Sequence, residues 1–245
     1  MTAPNWSPLR AALKACRASG AVPQVWWRDD DATVPTAALD QLTALAQAVE
    51  MPVHLAVIPA NATPALAVYC SDAPLIPVVH GWAHADHSVA GEKKNEFLTA
   101  RPGANADAKR GLTRLQDLFG PTLRPMFVPP WNRIRAEVAR DLSTMGYSTL
   151  STFGPRADPI PGITRINTHV DPIHWKGSRS LVDPQTLIDT AAIQLQDRLN
   201  SAADAAEPYG LLTHHLVHDP AIWAFAETFL TEMQMGGATL WQMET

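Results

Sequence analysis

Short apolar runs alternate with stretches of helical spacing along most of the chain. QVWWR (24–28), VHLAVIP (53–59), LIPVVH (75–80), PMFV (125–128), STLST (148–152), GITRIN (162–167), YGLLTHH (209–215) and ATLWQM (238–243) read as strands. Between them lie helical patterns. The first follows Ser7 as N-cap, with Pro8 in its first turn, and stops at Gly20. A second covers Thr36 to Glu50, where Leu39, Leu42, Leu45, Ala46 and Val49 share one face. Others run from Asp107 to Phe119 and from Arg135 to Met145, closed by Gly120 and Gly146. Asp183 caps a long helix reaching about Ala202, and Asp219-Pro220 opens a last one that ends at Gly236-Gly237.

Strands that alternate with helices predict a parallel sheet covered by helices. About seven or eight such units in one chain point to an α/β barrel, with an open doubly wound sheet as the second choice. The 245 residues and 46% hydrophobic content suit a single domain over 1–245, with helix 1–20 packed on the barrel. A net charge of -5 gives no basic footprint for nucleic acid. No apolar run is long enough to cross a bilayer, and the N-terminus lacks the order of a signal peptide. Cys16 and Cys70 are too few for a disulfide framework and are read as reduced thiols. The expected setting is the cytoplasm.

In a barrel or an open sheet, active groups gather at the C-terminal ends of the strands. Here those ends carry RDDDA (28–32), PAN (59–61), HGWAHADH (80–87), PPWNR (129–133), THVDPIHW (168–175) and HHLVHD (214–219). Five of the six are dense in Asp, His, Trp or Arg, while the opposite ends are bland. That asymmetry predicts an enzyme.

Three adjacent carboxylates, Asp29, Asp30 and Asp31, repel one another and need a counter-charge. A divalent cation or Arg28 could supply it; an acidic turn capping the next helix is the alternative. His80 and His84 form an H-x-x-x-H pair after an apolar strand, and with a nearby carboxylate they make a ligand set for Zn²⁺ or a similar ion. Hydrogen-bonded loop histidines are the competing reading. His87 is a spare. Pro129 to Arg133 presents an indole, an amide and a cation on a rigid turn; a Trp packed in the loop is equally consistent. Asp171 could orient an imidazole or belong to an Asp-Pro turn. One of His214 and His215 should face the mouth of the sheet, because strand side chains alternate. No glycine-rich phosphate loop and no Ser or Cys nucleophile stands out.

The order of these motifs resembles the polysaccharide deacetylase family: Asp-Asp after a strand, H-x-x-x-H, a Pro-Trp loop, Asp-x-x-x-Trp and L-x-x-H. The resemblance spans roughly Val25 to Phe229. It implies a distorted single-domain (β/α)7 barrel and a metal-dependent hydrolase removing an acetyl group from an N- or O-acetylated sugar or related small molecule. It implies Asp31, His80 and His84 as ligands of one divalent metal, with Zn foremost and Co or Ni as substitutes. Asp30 then matches the catalytic base, His214 the catalytic histidine and Asp171 the carboxylate that tunes it. Trp82, Trp131, Arg133 and Arg28 fall where substrate would be held. The partner implied is a small molecule or glycan, with neither nucleic acid nor membrane. The chain departs from the family at three points: Ala32 follows the Asp pair where Gly is usual, Gly81 follows the first His, and Val128 stands where the family has an arginine. Arg28 or Arg133 could replace that arginine. The first departure leaves the roles of Asp29, Asp30 and Asp31 open by one position.

Overall fold

The computed structural model describes residues 3–244. Seven parallel strands form its centre: β1 (Gln24–Ala32), β2 (Val53–Val57), β3 (Leu75–His80), β4 (Met126–Val128), β5 (Thr149–Leu150), β6 (Thr164–Arg165) and β7 (Tyr209–Thr213). Their spatial order is β6-β5-β4-β3-β2-β1-β7. The gap between the two ends is bridged by the chain beyond β6. Thr168 N–H donates to the Thr152 carbonyl, and Leu212 N–H donates to the Val170 carbonyl. The sheet therefore curls into a distorted (β/α)7 barrel: the alternating pattern predicts a barrel, and the resemblance implies its seven distorted strands.

Helices α1 (Ser7–Ala18), α2 (Ala37–Ala48), α3 (Pro64–Ser71), α4 (Ala104–Phe119), α5 (Ala136–Met145), α6 (Pro184–Leu199) and α7 (Pro220–Met235) surround it. No helix among the described residues is long and apolar enough to cross a membrane. Three predicted helix starts are capped as expected: the side chains of Thr36, Asp183 and Asp219 each accept a backbone N–H three residues on, and Thr63 does the same for the unpredicted α3. Ser7 does not cap α1. Trp6 stands at that position, and the Ser7 N–H instead donates to the Asn5 side chain. The apolar periodicity of α3 is weak, because Ala65, Ala67 and Val68 surround Leu66, and the helix escapes a reading by pattern. The last predicted strand shrinks to β8 (Thr239–Leu240), which pairs with the first residues of β1.

Side chains alternate along β1, which separates two cores. Val25 and Trp27 face the helices and join the large outer cluster. Trp26 faces a small inner cluster with Ala56, Val78, Met126, Val128 and Ile166. Trp26 fills the barrel and donates its Nε1–H to the Asn167 carbonyl at 3.0 Å. Beyond β8 the C-terminal segment closes the floor, where Trp241 stacks on His54 and meets Trp26 edge-on. The neutral His54 ring satisfies both of its nitrogens there: Nδ1–H donates to the Trp27 carbonyl and Nε2 accepts the Met243 N–H.

Burial, helped by the charge of Arg124, pushes the His54 pKa down to about 4, against 6.5 for a free ring. The unfolded chain therefore takes up the proton first as pH falls. The stability contributed by the neutral ring is complete above pH 6.5 and falls by about 3 kcal/mol as pH drops towards 4. Urea unfolding midpoints measured across this range should fall steeply in the wild type and more gently in His54→Gln. Parallel slopes would contradict this reading of the barrel floor.

Candidate active site

The mouth of the barrel is organised by an irregularity in β1. Asp29 pairs with Leu55 and Ala32 pairs with Val57, so β1 spends one more residue than β2 over the same span. This is a β-bulge, and Asp31 sits in it with a left-handed φ of 78°. Without the bulge Asp31 would point with Trp27 and Asp29 towards the helices. The bulge turns it to the open end instead.

There it meets the HGWAH loop. Asp31 Oδ1 lies 3.1 Å from His80 Nε2 and 3.3 Å from His84 Nε2. One donor atom from each of the three residues falls within 4.8 Å of the others. His80 Nδ1 lies 3.0 Å from the Val128 carbonyl, so this nitrogen carries a hydrogen; Nε2 faces Asp31, donating to its carboxylate when the ring is protonated and free to offer a lone pair to an ion when it is not. The set is one carboxylate and two imidazoles, a donor set suited to Zn²⁺ and its neighbours. Asp31 (31% side-chain exposure) and His84 (24%) are open to the mouth while His80 is sealed. Burial raises the Asp31 pKa, but the His80 hydrogen bond and the nearby imidazoles override it and hold the carboxyl below its usual range. Burial and the charge of His80 push His84 down. Burial also opposes protonation of His80, yet Asp30 and Asp31 outweigh it and raise its pKa.

The loop itself is fixed by a group with no local sequence signal. Glu96 is fully buried and accepts the N–H groups of Trp82 and Ala83, at 3.2 and 2.8 Å. In sequence it belongs to the charged run EKKNE, which reads as a solvated stretch. Gly81 is the departure that makes room for it: a Cβ at this position would lie 2.3 Å from Glu96 Oε2 and 2.6 Å from the Pro130 ring, at a φ of +59°.

Asp30 points into the barrel with Arg28, two residues earlier on the same face. Arg28 Nε and Nη2 grip the two Asp30 oxygens at 2.9 and 3.0 Å. The remaining donors go to Ser151 Oγ, the Thr152 carbonyl and Asn132 Oδ1. All five N–H groups are engaged and the side chain is wholly buried. Arg28 therefore braces Asp30 and has no donor left for substrate, which corrects the substrate-binding expectation. The cation beside Asp30 thus comes from within β1, while β4 presents Val128. Ser151 and Asn132 are partners that the sequence gives no reason to single out, although Asn132 lies in the PPWNR loop. Trp131 and Asn132 both adopt left-handed φ, which turns the indole onto His84 at 4.2 Å between centroids.

Two other expectations change, those for Trp82 and Asp171. Trp82 packs against the outer core beneath the Arg110 guanidinium, 3.9 Å from its ring, rather than walling the mouth. Arg133 is half-buried in the same loop as Trp131 and donates one N–H to the Lys94 carbonyl, which leaves its expected role standing. Asp171 does not hydrogen-bond His214: its oxygens accept the Trp175 Nε1–H at 2.7 Å and the Ile173 N–H at 3.0 Å. Burial raises the Asp171 pKa, with the nearby His214 acting against it. His214 reaches the mouth, its Nε2 4.0 Å from Asp30 Oδ2, with Trp175 edge-on against its ring. His215 turns away from the mouth, buried against Asp29, as strand alternation requires of one of the two.

No family model matches the chain, and no curated protein matches it in sequence. Solved structures do match its fold. A putative polysaccharide deacetylase from Mycobacterium smegmatis superposes with a TM-score of 0.59 at 16% identity, over 90% of this chain and 87% of that one. A family 4 carbohydrate esterase from Streptomyces lividans in complex with acetate gives 0.55 at 16% identity, over 91% and 93%. A family 4 acetyl xylan esterase from Clostridium thermocellum, in complex with a cobalt ion, gives 0.53 at 11%, over 89% and 87%. The barrel is thus of the polysaccharide deacetylase type.

The Arg28 brace gives a direct prediction. Arg28→Met strands the buried Asp30 charge and should destabilise the protein by about 3–5 kcal/mol in urea unfolding. Arg28→Lys keeps the charge but cannot grip both oxygens, and should recover only part of that stability. A loss within experimental error for both variants would contradict the brace.

Proposed function

We propose that the protein is a metal-dependent deacetylase that hydrolyses an acetamide, or an acetate ester, on an amino sugar or related small molecule. The observation that carries this reading is the convergence at one mouth of three groups. Asp31, His80 and His84 form an open donor set, Asp30 is braced beside it, and His214 faces Asp30 across 4.0 Å.

Asp31 Oδ1, His80 Nε2 and His84 Nε2 would hold the ion, with Zn²⁺ the first choice and Co²⁺ or Ni²⁺ as substitutes. A bound divalent ion would supply Lewis acidity to the acetyl carbonyl and lower the pKa of a water in the site. The chain does the rest. Asp30, its orientation fixed by the two-pronged Arg28 contact, accepts a proton from the attacking water as the new C–O bond forms. His214 delivers a proton to the leaving nitrogen or oxygen as the bond to the acetyl carbon breaks. The products are acetate and a free amine or alcohol. Trp131, packed on His84, lines the mouth with an apolar face suited to a sugar ring. The two buried thiols, Cys16 and Cys70, are unpaired and support a reducing, cytoplasmic setting, where the substrate is a small molecule rather than an external polymer.

Acetate release from N-acetylated amino sugars and acetylated xylosides should be measured on zinc-loaded protein. Asp30→Asn should keep about one zinc per chain and lose activity by about 10²–10⁴-fold. His80→Ala should lose the zinc itself. No acetate from any acetylated substrate, with the zinc in place, would overturn the proposal, as would a fully active Asp30→Asn.

A further inference from the structure

Asp29, the first of the three carboxylates, has no part in the mechanism above, and its place suggests one. We propose that Asp29 is a positioning residue for His214, acting by clamping the two residues on either side of it; this rests on His214 being the proton donor. Asp29 lies on the outer face of β1, in register with Thr213 of β7, and is completely buried. Its Oδ2 accepts the Thr213 hydroxyl at 2.6 Å and the His215 N–H at 3.0 Å, and its Oδ1 accepts His215 Nδ1–H at 2.5 Å. The Thr213 oxygen in turn accepts the Trp27 Nε1–H at 2.8 Å. Three hydrogen bonds accepted by one carboxylate thus hold the residues before and after His214 to the barrel wall.

The clamp matters because no side chain among the described residues hydrogen-bonds the His214 ring. Its Nδ1 is buried without a partner, and Asp171, the expected orienting carboxylate, is turned to Trp175 and Ile173. Among the described residues, the ring packs against one neighbouring ring, edge-on to Trp175 at 4.7 Å. Its backbone, at φ -143° and ψ 85°, leaves the strand just there, with its N–H donated to His218 Nε2. The direction of the ring is therefore set through the backbone, and the backbone is set by Asp29. A ligand or base role for Asp29 is excluded because both its oxygens are engaged on the face of the strand opposite Asp30.

The test separates an effect on the proton donor from a general loss of structure. A leaving group such as 4-nitrophenolate departs without a proton, so an aryl acetate bypasses His214, whereas an acetamide needs it. Zinc-loaded Asp29→Asn should lose about 10- to 100-fold in kcat on an N-acetylated amino sugar. Its KM and zinc content should hold, and its kcat on 4-nitrophenyl acetate should change by less than about threefold. Equal losses on both substrates, or none on either, would overturn the clamp. An independent readout needs no turnover. In ¹⁵N-histidine-labelled protein, the His214 ring signals should shift and broaden in Asp29→Asn while those of His80 and His84 stay in place. Unchanged His214 signals would overturn the proposal. If the wild type hydrolyses neither substrate, the deacetylase reading falls, and the ring signals alone decide the clamp.

Discussion

Three consecutive carboxylates at the end of one strand are the constraint around which the mouth of this barrel is built. Two like charges about 6 Å apart repel by about 3 kcal/mol at an effective dielectric constant of about 20, and Asp29 and Asp30 are both buried. The fold resolves this by giving each carboxylate its own direction and its own partner. Strand alternation sends Asp29 outward to His215 and Thr213, and Asp30 inward to Arg28. A bulge then lifts Asp31 out of the alternation and delivers it to His80 and His84. One residue fewer in that stretch would return Asp31 to the outer face, away from both histidines.

The surrounding elements follow from these pairings. Arg28 spends its other donors on Ser151, Thr152 and Asn132, so the brace of Asp30 also ties β1 to the ends of β5 and to the PPWNR loop. That loop presses Pro130 towards Gly81 and Trp131 onto His84, while Glu96 fixes the backbone between the two histidines. The donor set is therefore supported from β1, β3, β4 and the segment beyond β3 at once. Such support is what a site needs if its geometry is to be ready before a ligand arrives.

Much of the barrel was legible in the sequence because strands and helices there follow clean periodicities, and because chemistry-bearing residues cluster at one end of the strands. Asp31, His80, His84 and His214 come together at the mouth from three segments singled out on that basis. What escaped has physical reasons. The bulge is invisible to a reading that assumes strict alternation, which is why the roles of the three aspartates stayed open by one position. Glu96 hides in a charged run whose burial depends on tertiary contacts. Asp171 looked like the partner of His214 by order along the chain, yet Trp175, four residues on, takes its oxygen. Trp82 sits between the two histidines in sequence but packs outward, since a loop side chain obeys its backbone rather than its neighbours. Helix α3 lacked a clear apolar stripe.

The central claim is that the three aspartates have three separate tasks, and zinc titration calorimetry on Asp29→Asn, Asp30→Asn and Asp31→Asn, side by side with the wild type, tests it most directly. The account predicts that only Asp31→Asn loses stoichiometric zinc binding, while the other two bind it with nearly wild-type affinity. Retained binding in Asp31→Asn, or its loss in Asp29→Asn with the fold intact, would contradict it.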